Sequence, residues 1–159
     1  MIISLFEIFS ILLFKQPLGA RTSLTVTGLS TLASATYVAS SAYTANTNQP
    51  LDVIVEVDVA TTNTPAGNKQ VVVFIIESLD GTNFRSGPTS GTTTTDEPNL
   101  RFLGTVPMNT ASVTQIATFS VAQALGYCPY AFKIVVKNDL GVALTSGTAW
   151  ISEVSATSA

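Results

Sequence analysis

The clearest periodicity in the chain is LDVIVEVDV, Leu51–Val59, where Val53, Val55, Val57 and Val59 alternate with Asp52, Ile54, Glu56 and Asp58. A period of two sends successive side chains to opposite faces, so the segment predicts a strand with one buried and one wetted face. FKIVVKN, Phe132–Asn138, repeats the pattern, with Phe132, Ile134 and Val136 set against Lys133, Val135 and Lys137. The polar rows of the two segments carry opposite charge, which allows them to pair in one sheet. Asn138-Asp139-Leu140-Gly141 reads as a turn whose glycine can take positive φ. VALTSGTAWISEV is therefore expected to return antiparallel beside Phe132–Asn138.

VVVFII, Val71–Ile76, breaks the alternation because it is apolar at every position. Both faces of such a strand must be covered, one by the core and the other by a loop, the N-terminal segment or a neighbouring subunit. This strand extends to Ser78, and further strands are predicted at Leu24–Thr27, Thr36–Thr44, Leu100–Val106, Gln115–Val121 and Thr148–Val154, with one helical turn at Val121–Gly126. Eight short strands at roughly even spacing, with no amphipathic helix after residue 20 and no internal repeat, predict an all-β protein, an antiparallel β-sandwich or jelly roll.

Between the strands ending at Ser78 and starting at Leu100 lies Leu79–Asn99. Asp80-Gly81 is a strong turn dipeptide, Asn83 tolerates the left-handed region, and Gly87-Pro88 and Glu97-Pro98 bracket a polar tract. A loop of this length without structure of its own is usually functional or mobile. TSGTTTTDEP has no large apolar side chain with which to enter a core, so Thr92, Thr93, Thr94 and Thr95 are candidate partner-contact residues on an exposed arm.

The segment Met1–Phe14 has a different texture. No Lys or Arg precedes its apolar run, Glu7 interrupts it and Lys15 follows it, the reverse of the charge order in a secretory signal. About thirteen residues also fall short of the roughly 20 that span a bilayer. A helix packed in the domain's own core and a signal or anchor are the competing readings. The favoured one is an apolar arm or short helix, residues 1–20, that places Ile2, Leu5, Phe6, Phe9, Leu12 and Leu13 against another protein chain, ahead of a single sandwich domain at 21–159. Pro17 and Gly19 form the joint between them.

Composition narrows the chemistry. The 159 residues carry 46% hydrophobic and only 11% charged residues, with a formal charge of −3. Clustered Lys and Arg are absent, so no nucleic-acid partner is expected. There is no His, which removes the usual general base and His-containing metal clusters. The lone Cys128, beside Pro129, reads as a small apolar residue. DGTN, Asp80–Asn83, lacks the downstream carboxylates of a calcium loop and reads as a turn. Asp52, Glu56 and Asp58, with Asp96 and Glu97, are the candidate carboxylates for glycoside hydrolysis, but the first three alternate on an outward strand face, where charges ordinarily serve solubility, and the last two sit in the loop. Trp150, Tyr37, Tyr43, Tyr127 and Tyr130 would suit a sugar-stacking platform, with core packing the better account of most of them. The expectation is a protein without catalysis, cofactor or metal.

From Leu51 to Val154 the succession VVVFIIESLDGTNF, NLRFLGTVP, ATFSV and YAFKIVVKNDLGVAL resembles small virion proteins of tailed bacteriophages, of the kind that decorate or cement the capsid. The resemblance covers about two-thirds of the chain and rests on strand and turn signatures. It implies a β-sandwich or jelly roll on the capsid exterior, assembled in the host cytoplasm, in contact with the major capsid protein or other virion proteins. It also implies a homo-oligomer, a trimer being favoured, and no membrane partner. The alternative is a glycan- or host-binding sandwich on a head fibre, neck, tail or cell surface.

Overall fold

The computed structural model describes residues 14–15, 17–45 and 49–158. In chain order the strands are β1 (Phe14–Lys15), β2 (Thr22–Leu24), β3 (Tyr37–Ala39), β4 (Tyr43–Thr44), β5 (Asp52–Ala60), β6 (Gln70–Ser78), β7 (Ser90–Gly91), β8 (Arg101–Pro107), β9 (Gln115–Ser120), β10 (Ala131–Asn138), β11 (Ser146–Val154) and β12 (Thr157–Ser158). One short helix, α1 (Val121–Leu125), stands between β9 and β10. Two sheets dominate: β2-β11-β5-β9, and β7-β3-β10-β6-β8 with β4 also on β10. Every pairing is antiparallel, and the two sheets pack face to face as an all-β sandwich. No helix among the described residues is long and apolar enough to cross a membrane.

The period-two segments behave as their patterns dictate. Val53, Val55, Val57 and Val59 of β5 are wholly buried, and so are Phe132, Ile134 and Val136 of β10. Each such side chain contributes about 1.5–3 kcal/mol on leaving water. Together with Val71, Val73 and Ile75 of β6 they form the core between the sheets. The alternate residues of β6, Val72, Phe74 and Ile76, are buried on the opposite face with Tyr37, Leu100 and Val135, and Phe84 packs against them. β6 is thus covered on both sides, and the second cover is the loop that follows it.

One pairing that the sequence left open is not made, and one expected pairing is overturned. β5 pairs with β11 and β9, and β10 with β3, β4 and β6, so the two alternating strands face each other across the core with their charged rows on opposite outer surfaces. β10 and β11 do not form a hairpin either: they belong to different sheets. The reason lies in Leu140 and Leu144, buried to 0% and 2% exposure, which draw the connection across the end of the core. Asn138, itself fully buried, fixes this crossover. Its Nδ2 donates to the carbonyls of Leu32 and Val142 at 2.8 Å each, and its Oδ1 accepts from the Leu140 N–H at 2.9 Å. Gly141 has φ +77°, and a Cβ on it would meet the Gly67 nitrogen at 2.7 Å, so only glycine allows the two loops to touch there.

Boundaries shift where side chains compete with the ladder. The strand expected over Leu24–Thr27 is found at Thr22–Leu24. Thr36–Thr44 splits into β3 and β4 because the Ser40 hydroxyl accepts the Ile134 N–H at 3.0 Å in place of a backbone carbonyl. Val121–Leu125 makes its helical turn as expected. Ser120 caps it by accepting from the Gln123 N–H, and Gly126 ends it at φ +82°. The segment before β2 runs on beside β11: the Gly19 N–H donates to the Glu153 carbonyl, Leu18 bridges Val154, and β1 pairs with β12.

Candidate partner-contact surfaces

Leu79–Asn99 is the largest irregular element, and it is pinned at both ends. Asp80 Oδ1 accepts the N–H groups of Thr82 and Asn83 at 2.8 and 2.7 Å, which closes the turn at Gly81 and holds the carboxyl well below its ordinary range. Glu77 accepts from Arg85 at 3.0 Å and Arg101 at 3.3 Å, tying the departing strand to the returning one. Further along, Glu97 accepts from the Tyr37 hydroxyl and from Lys137 Nζ, 2.8 Å away, so a loop carboxylate is clasped onto the outer face of the sheet. Phe84 lies under Lys133, whose Nζ is 4.3 Å from the ring centre. β7 pairs with β3, and a 3₁₀ turn at Glu97–Asn99 completes the return, so the segment holds short structure of its own. Thr92, Thr93, Thr94 and Thr95 remain exposed on this anchored frame, where the sequence placed them.

The other outer face belongs to β2-β11-β5-β9. Arg21 pairs with Glu56 and, at 3.0 Å, with Asp58, while its guanidinium carbon lies 3.8 Å from the centre of the Trp150 ring. Burial, and then the neighbouring Glu56, push the Asp58 carboxyl above its ordinary range, with Arg21 opposing. Asp52 serves a different purpose: it accepts from the Ser120 hydroxyl at 2.6 Å, the Ala122 N–H at 2.8 Å and its neighbour's Val53 N–H at 2.7 Å, joining β5 to the start of α1. The three carboxylates therefore share one strand face without converging on a common point. Core packing was the better account of most of the aromatic residues, and Trp150 is not one it describes: it is half-buried on the outer face, with one ring face taken by Arg21.

A third surface is the end of the sandwich where β5 begins and β11 finishes. The Tyr43 hydroxyl donates to Glu153 Oε1 at 2.7 Å, linking the two sheets there; burial, with Glu153 second, raises the phenol above its ordinary value. Cys128 is half-buried nearby, and burial pushes its thiol up to about 11, which keeps it protonated at neutral pH. A groove of about 390 Å³ runs between Gly19, Thr22, Tyr43, Thr44, Ile151 and Glu153. Tyr37 and Tyr43 are buried, whereas Tyr127 and Tyr130 are each 44% exposed.

Of the residues singled out in the sequence, Thr92–Thr95 lie on the anchored loop, and Ile2, Leu5, Phe6, Phe9, Leu12 and Leu13 lie outside the described residues. Sequence reasoning missed the Arg21–Trp150 stack and the Glu97 clasp, because each joins residues far apart in the chain. Among the described residues no group of three or more Cys, Asp or Glu side chains is arranged to hold a metal ion. Comparison with protein-family models and with curated proteins gave no match.

Proposed function

We propose that this chain is a non-catalytic virion structural protein that decorates or cements a bacteriophage capsid through protein–protein contacts. The observation that carries the reading is the uncharged, polar Thr92–Thr95 ribbon held by β7 and the Glu97 clasp on a doubly covered sheet. Such an element loses little conformational freedom on docking, and its hydroxyls can hydrogen-bond a protein surface without the desolvation cost of charge. A protein that binds only the assembled lattice stabilises it by mass action, about 4 kcal/mol at a thousandfold excess over Kd. Mass spectrometry of purified particles tests the proposal. A copy number matching a multiple of the capsid lattice supports it, whereas a few copies per particle, or none, sinks it.

A second reading has an observation of its own, since Trp150 lies outside the core. A glycan-binding surface on that face requires Arg21 to move off the ring or to share it with a sugar. Glycan-array binding lost in Trp150→Ala with the fold intact would favour this reading over capsid decoration.

A further inference from the structure

Eight large apolar side chains are strongly exposed among the described residues, and five of them, Leu18, Leu51, Leu79, Tyr127 and Tyr130, gather at one end of the sandwich. Hydrogen bonds and packing bring them together. Leu18 bridges Val154, whose carbonyl accepts the Leu51 N–H at 2.8 Å. Gln49 Nε2 donates to the Cys128 carbonyl at 2.7 Å, which joins the approach to β5 with the Tyr127 segment. The Tyr130 carbonyl accepts the Ala45 N–H, and its ring lies against Gly81 in the turn that follows Leu79. Monomeric proteins rarely group exposed apolar residues in this way without a partner.

The N-terminal segment leaves from the same end. β1 pairs with β12 at Phe14↔Ser158 and Lys15↔Thr157, after the last rung of β11 at Val154. Nine of the thirteen residues before it are Ile, Leu or Phe. A return to its own patch requires a reversal, and in residues 1–16 only Ser4 and Ser10 are common turn formers, with no Gly, Pro, Asn or Asp. An apolar segment rooted beside an exposed apolar patch, with few residues that favour a tight turn back onto it, suits exchange between copies.

We infer that this end of the sandwich seats residues 2–13 of a second copy of the same chain. Because the patch and the root of the arm share one end, each copy both gives and receives an arm, and the exchange closes as a symmetric oligomer. The inference does not depend on the capsid reading: particle copy number tests that reading, while this one is tested on the purified full-length protein alone.

The experiment uses two full-length chains with different tags, both carrying Cys128→Ser, one with Leu12→Cys and the other with Leu79→Cys, co-expressed and then oxidised. The expected product is a disulfide between the two tags. It should be absent when Ile116→Cys, exposed on β9 of the other sheet, replaces Leu79→Cys. Light scattering should show the unmodified chain as an oligomer, and Phe6→Glu or Leu79→Glu should each weaken association at least tenfold with an unchanged circular-dichroism spectrum. A monomer, a disulfide formed only within one chain in the Leu12→Cys/Leu79→Cys double variant, or association unaffected by Leu79→Glu overturns the inference. So does a full-length chain that remains monomeric and floats with phosphatidylcholine vesicles, since that would assign the arm to lipid.

Discussion

Replacing Asn138 by Ala removes three hydrogen bonds from a site with no exposure to water. The losses are unequal. The Leu32 carbonyl keeps a second donor, the Leu144 N–H at 3.0 Å, whereas the Val142 carbonyl and the Leu140 N–H lose their side-chain partner. A buried polar group left without a partner costs about 1–3 kcal/mol, and each bond contributes about 1 kcal/mol net. Asn138→Ala should therefore cost about 3–5 kcal/mol, a large share of the 5–15 kcal/mol typical of a domain. With a urea dependence near 2 kcal/mol per molar, the unfolding midpoint should fall by about 1.5–2.5 M. Asn138→Leu restores the volume but none of the bonds, and should be nearly as damaging. A loss below about 1 kcal/mol in the alanine variant, or near-complete recovery in the leucine variant, would refute the reasoning and show the site to be held by packing alone.

Ile75→Asp and Phe74→Asp probe opposite faces of β6. Both should yield insoluble or unfolded protein, as judged by solubility and circular dichroism, and a silent Phe74→Asp would mean that the loop is no true cover. Glu97→Ala should free the loop, raising trypsin cleavage at Arg85 severalfold with little change in melting temperature; unchanged cleavage would show that the clasp with Tyr37 and Lys137 is dispensable. The carboxyl of Asp80 is held below its ordinary 3.8 by the N–H groups of Asn83 and Thr82, so its contribution is fully present above that value and fades as pH falls through the lower folded-state value. The melting-temperature gap between wild type and Asp80→Ala should accordingly narrow from pH 7 to pH 2, and a gap constant with pH would exclude the ionised turn as its source.

What could be read in advance was whatever depends on neighbours in the chain. Alternation in Leu51–Val59 and Phe132–Asn138 identified the buried rows, and the unbroken run Val71–Ile76 revealed a strand covered twice. The partners of those strands were not legible, because opposite charge on two strands fits either pairing or separation onto opposite faces. The turn after Asn138 misled for a specific reason: Leu140 was treated as a turn residue, although Leu140, Val142 and Leu144 repeat at a spacing of two and mark a connection with its own buried side. Ser40 shows the same limit on a smaller scale, since a hydroxyl that replaces a ladder carbonyl leaves no local signature. On the candidate surfaces, the exposure of the threonines followed from their lack of apolar bulk, while the anchoring by Glu97 depended on residues 60 and 40 positions away.

The double cover of β6 has a consequence for biosynthesis. VVVFII has high β-propensity, no charge and no proline, the composition of segments that stack into cross-β fibrils when left open. Both of its ladder partners, β8 and β10, are encoded downstream, the farther one ending at Asn138. At about 5–20 residues per second of synthesis, the roughly sixty residues between the end of VVVFII and Asn138 take about 3–12 s to appear. During that interval the nascent chain carries an unpaired aggregation-prone strand. Yield in the cell should therefore respond to chaperone supply and to translation speed across residues 77–138, even in variants whose finished fold is as stable as the wild type.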